Sequence, residues 1–316
     1  MSDTPAVRLS DVSKSFGTHP AVKALSLEVP RATVYGFLGP NGSGKTTTLR
    51  LILHILLPDS GTVSVLGASG TRAANDRIGY LPEERGLYKK MEVRRQLEYL
   101  SALKGVPPAR SRPMITAWLE RFGLAEWADE KVETLSKGMC QKVQFIAAVA
   151  CQPELVVLDE PFSGLDPVNQ EVLRDAILEL KRRGTTVILS THDMTAAEEM
   201  CDFVCMMNRG GKVLDGTLDE LRRTRGDGTV RVETAGGAAA LAGLPGVASV
   251  RDLGRLQEVR VDGDPQELLK ALLARGAVTR FETVRPTLKE IFLAHAAAPM
   301  TSEAALPRDS ARAGAP

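Results

Sequence analysis

The segment Gly39-Pro-Asn-Gly-Ser-Gly-Lys45-Thr46 constrains this chain more than any other. It satisfies the spacing G-x-x-x-x-G-K-[ST], follows an apolar run with strand character, Val34 to Leu38, and precedes a stretch with helical spacing, Thr46 to Leu56. A strand that turns on glycines into a helix makes a phosphate loop. Backbone N–H groups converge on the phosphates, and the helix N-terminus adds positive potential. Lys45 then reaches the β and γ oxygens and Thr46 ligates Mg²⁺, while Gly39, Pro40, Asn41, Gly42, Ser43, Gly44 and Thr47 complete the expected nucleotide-binding set. A chance lysine in a glycine-rich turn would not need both flanking elements.

From residue 7 to about 225, β-rich runs alternate with helical stretches, the order of an α/β domain with a largely parallel sheet. Arg77 to Leu81, Leu155 to Leu158 and Thr186 to Ser190 are the further strands, the last two apolar enough to be covered on both faces. Helices are expected over Glu92 to Lys104, Pro113 to Phe122, Gly138 to Ala150 and Asn169 to Lys181, with a hairpin turn at Asn208-Arg-Gly-Gly211. A charged, glycine-containing stretch, Arg222 to Gly228, marks a boundary. Beyond it Thr229 to Val284 reads as β-α-β-β-α-β, a small α+β unit of ferredoxin-like order, closed by a helix over Thr287 to Ala294. The expected organisation is thus a first unit over 1–225 with a helical subdomain at about 85–150, an accessory unit over 226–298, and a disordered tail over 299–316 rich in Ala, Pro, Ser and Arg. All the motifs bearing chemistry precede the boundary, so residues 1 to about 226 are expected to fold and bind their nucleotide alone.

A phosphate loop leaves kinase, GTPase and motor ATPase open. Leu155-Val-Val-Leu-Asp159-Glu160 decides among them. Its apolar residues make a buried strand, and the paired carboxylates emerge at the C-terminal end, where open α/β sheets bind ligands. Asp159 is expected to hold the Mg²⁺ shell through water, and Glu160 to polarise an attacking water as general base. A solvated acidic strand end is the bland reading; together with Lys45 it loses its appeal.

At this point the chain resembles the ABC-type ATPases, through Leu135-Ser-Lys-Gly-Met139, Ser163-Gly-Leu-Asp166 and Ser190-Thr-His192 in that order over roughly residues 7 to 225. The resemblance implies a P-loop NTPase of the ABC type. It implies too that Ser136 and Gly138 serve the γ-phosphate of ATP held by an opposite subunit, that Asp166 communicates across the dimer, and that His192 contacts the γ-phosphate. Phe16, in Lys-Ser-Phe-Gly, corresponds to the aromatic that stacks on adenine, against the alternative of a core phenylalanine. Lys137 and Met139 depart from the commonest signature. Glu83, in Gly79-Tyr-Leu-Pro-Glu83, stands where the family usually has a glutamine that ligates Mg²⁺ and senses the membrane partner, and its carboxylate can still coordinate.

Lys137-Gly-Met139, Pro82 to Tyr88 and the appended unit ending Pro286-Thr-Leu-Lys-Glu-Ile-Phe resemble ATPase subunits of ABC-2-type exporters, including those for sodium or antibiotics. This implies ATP and Mg²⁺ as cofactors, a separate integral membrane permease and a second ATPase subunit, as a homodimer, as partners, and a place on the cytoplasmic face of the membrane. The alternative is a soluble ABC ATPase acting on ribosomes or DNA. It is disfavoured by the single nucleotide unit and the lack of a long heptad insertion. With 40 Lys and Arg against 39 Asp and Glu, no general drive toward nucleic acid exists, and none is expected as partner. No apolar run approaches the roughly 20 residues of a membrane helix, and no signal-peptide core is visible. Cys140, Cys151, Cys201 and Cys205 are expected to be reduced core thiols rather than a metal site.

Overall fold

The computed structural model describes residues 4–68, 75–84, 86–223, 228–284 and 286–296. The expected tail, and most of the expected linker, lie outside them. The chain opens with β1 (Val7–Phe16) and β2 (His19–Val29), followed by β3 (Val34–Leu38), α1 (Lys45–Ile52), β4 (Ser60–Val65) and β5 (Ile78–Leu81). Then come the helices α2 (Val93–Leu103), α3 (Pro108–Arg121) and α4 (Lys137–Val149). Alternation resumes with β6 (Leu155–Asp159), α5 (Pro167–Arg182), β7 (Thr186–Thr191), α6 (Met194–Met200), β8 (Phe203–Asn208), β9 (Gly211–Thr217) and α7 (Leu218–Arg223). The last unit holds β10 (Thr229–Thr234), β11 (Val247–Asp252), β12 (Gln257–Val261), α8 (Pro265–Arg275), β13 (Val278–Thr283) and α9 (Leu288–Ala296).

Among the described residues the strands form three sheets. A six-stranded sheet has the order β5-β6-β7-β3-β8-β9, parallel except for β9, which pairs antiparallel with β8. Side chains alternate across a strand, so each central strand feeds two cores. Tyr35, Phe37, Leu155, Val157, Ile188, Cys205 and Met207 point to one, with α1 and the antiparallel sheet β2-β1-β4. Val34, Leu38, Val156, Leu158, Val187, Leu189, Val204 and Met206 point to the other, with α2 to α7. The β2-β1-β4 sheet was not separated from the parallel one by sequence pattern, because alternation reports a half-buried strand and not which sheet it joins.

Most expected elements occur, with shifted ends. The first helix stops at Ile52 rather than Leu56, because His54 takes a positive φ of 53° and Ile55 N–H turns back to the Arg50 carbonyl. The helix expected from Pro113 starts five residues earlier, at another proline, Pro108, that suits a first turn. The hairpin turn is as expected, with Arg209 and Gly210 both at positive φ, 48° and 79°. Tyr35, fully buried, donates from its hydroxyl to Asp215 Oδ1 at 2.5 Å, and burial raises its phenol well above the usual range. The thiols of Cys201 and Cys205 are likewise buried and pushed up.

The accessory sheet has the order β11-β12-β10-β13, antiparallel throughout, with a core of its own built on Val230, Val232, Val259, Val261, Leu268 and Leu272. Its last helix does not join that core. Leu288 and Ile291 of α9 are fully buried in the core of the first unit, against α6 and α7, and Leu288 N–H donates to a carboxylate oxygen of Glu198 on α6. Arg222, on α7, pairs with the same Glu198 at 3.6 Å.

The sequence-based expectation that residues 1 to 226 stand alone therefore omits a helix that closes their core. Leu288→Ala should cost about 2–5 kcal/mol, and a chain ending at 226 should melt below the full chain. Chemical denaturation checks both; a truncated chain as stable as the full one would show that α9 covers nothing of consequence.

Candidate functional site

The C-terminal ends of β3, β6 and β7 are neighbours in the parallel sheet and deliver the loops that form the site. After β3 the phosphate loop doubles back tightly. Gly44, at φ 105°, leaves no room for a side chain: a Cβ there would stand 2.4 Å from the Ala21 carbonyl oxygen. At Gly39, φ 148°, a Cβ would stand 2.2 Å from the Met207 carbonyl oxygen. The helix behind the loop has neither a side-chain cap nor an acidic residue in its first turn, so nothing within that turn offsets its N-terminal field. Pro40, Asn41 and Gly42 are exposed, whereas the buried Ser43 hydroxyl has no partner among the described residues.

Lys45 is buried and folded back on its own loop, donating from Nζ to the carbonyls of Gly39 at 2.8 Å and Pro40 at 3.2 Å. Burial lowers its pKa; the nearby carboxylates of Glu160, Asp159 and Glu83 oppose that shift and favour the charged form. Glu160 Oε1 lies 3.9 Å from Nζ. Asp159, fully buried at the end of β6, accepts from the Thr46 hydroxyl at 3.2 Å and from the Ser190 hydroxyl, while its Oδ2 has no partner among the described residues.

Glu160 departs from ordinary backbone geometry. Its φ is 47°, a left-handed conformation that a non-glycine residue keeps only when its surroundings insist. Its N–H donates to both the carbonyl oxygen, at 3.2 Å, and the side-chain oxygen, at 3.0 Å, of Ser190 on β7. His192, just past that strand, holds Nδ1 3.0 Å from Glu160 Oε2, where its N–H can donate. Ser190 thus positions both carboxylates. In the sequence it stands out only as part of Ser190-Thr-His192, since a serine near a strand end has no signature of its own.

A cavity of about 410 Å³ is lined by Phe16, His19, Ala21, Asn41, Gly42, Gly44, Lys45, Thr46, Thr47, Glu83 and Glu160. Phe16, half exposed at the end of β1, stands at its rim free of the core. Ser136, Gly138 and Asp166 do not line it. Ser136 caps α4, accepting from Met139 N–H at 3.2 Å; Gly138 packs against the Gly164 carbonyl; and Asp166 caps α5 through Asn169 N–H at 3.0 Å, which lowers its pKa. These three residues stand outside the cavity beside their own chain's phosphate loop.

Comparison with known proteins agrees with this geometry. Residues 22–163 match the family model described as ABC transporter, and residues 216–296 match the C-terminal domain of DrrA1-3-like ATP-binding proteins. An uncharacterized ABC transporter ATP-binding protein of Bacillus subtilis (strain 168), YhaQ, is 40% identical over 287 residues, covering 90% of this chain and 96% of its own. The daunorubicin resistance ATP-binding protein DrrA3 of Streptomyces coeruleorubidus is 34% identical over 305 residues, covering 93% and 96%. Among solved structures, an ATP-binding subunit of an ABC transporter superposes with a TM-score of 0.66 at 29% identity, over 70% of this chain and 93% of the other.

Gly44 offers a test of the loop. Gly44→Ala forces a Cβ against the Ala21 carbonyl and strains a positive φ, at a cost of about 1–3 kcal/mol. Nucleotide titration of the variant should show ATP affinity lost before the fold is; undiminished affinity would mean that the loop geometry is not what binds.

Proposed function

We propose, from the premise that this chain belongs to the ABC transporter family of ATP-binding proteins, that it is the motor subunit of an ABC-2-type exporter. The chain is an ATPase. What carries the mechanistic reading is one juxtaposition, Lys45, Asp159, Glu160 and His192 gathered at the ends of three neighbouring strands.

Phosphate oxygens replace the Gly39 and Pro40 carbonyls as acceptors for Lys45, and the Ser43 hydroxyl and loop N–H groups complete the cradle. Phe16 offers a face for adenine. Thr46 and Asp159 would hold Mg²⁺, Asp159 through water: a hydroxyl and a carboxylate with one buried oxygen unpartnered among the described residues are the hard donors such a cation takes. Glu83 lines the same cavity and is the third candidate ligand. Bound there, Mg²⁺ neutralises charge on the β- and γ-phosphates. Glu160 is the general base, its Oε2 oriented by His192 and its Oε1 left for a water proton.

Ser136 and Gly138 stand outside the chain's own cavity, at the start of α4, and that placement supports a two-subunit site. Two identical chains close face to face, each offering α4 and Asp166 to the other's ATP, and hydrolysis reopens them. Among the described residues no helix is long and apolar enough to cross a membrane, so the membrane-spanning work falls to a separate permease on whose cytoplasmic face this subunit sits. The DrrA-like C-terminal domain favours an exporter over a soluble ATPase acting on ribosomes or DNA.

Glu160→Gln keeps the side chain's shape and removes the base. Steady-state hydrolysis should fall by about a hundredfold or more, while gel filtration with ATP yields a dimer with trapped nucleotide; adding Ser136→Arg should abolish the trap. An active Glu160→Gln protein would overturn the assignment. Purification of the tagged chain from detergent-extracted membranes should bring an integral membrane protein with it, and recovery with ribosomes or DNA instead would favour the rival.

A further inference from the structure

Helix α4 buries two glutamines three residues apart, Gln141 and Gln144, on a helix otherwise packed through Val143, Phe145 and Ile146. Buried amides cost free energy unless their polar atoms find partners. Each here donates to a main-chain carbonyl outside the helix. Gln141 Nε2 reaches the Pro161 carbonyl at 2.9 Å, and Gln144 Nε2 reaches the Glu84 carbonyl at 3.3 Å. Pro161 follows Glu160, and Glu84 follows Glu83. One helix therefore grips the chain immediately after each of the two cavity carboxylates.

The grip on Pro161 has a specific task. Glu160 sits at φ 47°, a conformation that relaxes unless both flanks are held. Ser190 holds the N–H of Glu160 from β7. Gln141 holds the other flank from α4, so the backbone around Glu160 is pinned from two elements distant in sequence.

We propose that Gln141 and Gln144 are positioning residues of the hydrolytic reaction, Gln141 setting Glu160 and Gln144 setting Glu83 from the helix that also presents Ser136. The inference rests on the roles assigned above to Glu160 and Glu83. An amide is required at each position because an apolar side chain of equal size would fill the space and leave the carbonyl free to turn. The arrival of a partner's ATP at Ser136 would press on a helix already linked to both carboxylates of the chain's own site.

The test uses the full-length protein with Gln141→Met and Gln144→Met, which keep volume and remove the donor, and with Gln141→Glu and Gln144→Glu as second variants of the same length. Gln141→Met and Gln141→Glu should lower kcat about tenfold or more while KM for ATP changes less than about threefold. In the Glu160→Gln background, Gln141→Met should leave the amount of trapped ATP unchanged, since it acts on the base and not on closure; a merely structural role would reduce trapping too. Gln144→Met and Gln144→Glu should move the Mg²⁺ concentration for half-maximal turnover by about threefold or more, with no further shift when Glu83 is already Gln. Folded variants with unchanged kcat and Mg²⁺ dependence, or trapping lost together with turnover, overturn the inference. If Glu160→Gln itself turns over normally, the assigned base falls and the inference with it; if Glu160→Gln is inactive and Gln141→Met is normal, the inference alone falls.

Discussion

A buried ammonium beside the buried carboxylate of Asp159 and the half-buried one of Glu160 is the constraint on which this molecule is organised. Lys45, nearly enclosed, would be expelled or neutralised without acceptors, and the chain answers with two carbonyls of its own loop and the carboxylates at the end of β6. Neither carbonyl matches a phosphate oxygen in charge, so a triphosphate can take the lysine over without leaving a bare charge behind. Asp159 faces the converse problem, with one oxygen bonded by Thr46 and Ser190 and the other without a partner among the described residues. The site is thus a set of polar groups satisfied just well enough to fold and incompletely enough to bind.

Holding such groups in register requires a rigid base, and the parallel sheet supplies it. Its strands are apolar on both faces, so the antiparallel sheet with α1 packs on one side and the helical bundle on the other, and the carboxylates and phosphate loop stand at one edge between the two cores. Ser190 and Gln141 then fix the backbone around Glu160 from opposite sides. The accessory unit is bound into the same body by α9, whose leucine and isoleucine fill the first core and whose N-terminal N–H meets Glu198 on the helix that follows His192.

Although the first expected accessory helix, Ala238 to Ala242, is a 3-10 turn over Gly237–Leu241, the phosphate loop, the β6 carboxylate pair, the central strands and the four accessory strands with their second helix were legible in the sequence. Each is a local pattern: a glycine spacing, an apolar run ending in acids, a period of two. Helix ends were less legible, because Pro113 and Pro108 are both acceptable first-turn prolines and only packing chooses between them. Ser190 was passed over for the same reason, its importance lying in what stands on the neighbouring strand.

What the sequence determined by itself was chemistry: a chain with this loop and these acids handles nucleoside triphosphates, since the loop cradles phosphates and the acids suit a hard cation and an attacking water. Tertiary structure decided the rest. It turned Glu160 into a left-handed conformation, set His192 beside it, removed Ser136 and Gly138 from their own chain's cavity, and lodged α9 in the first core rather than the second. None of these follows from a local pattern, because each depends on atoms brought together from segments tens of residues apart, where the free energy of packing and not the propensity of any one segment selects the arrangement.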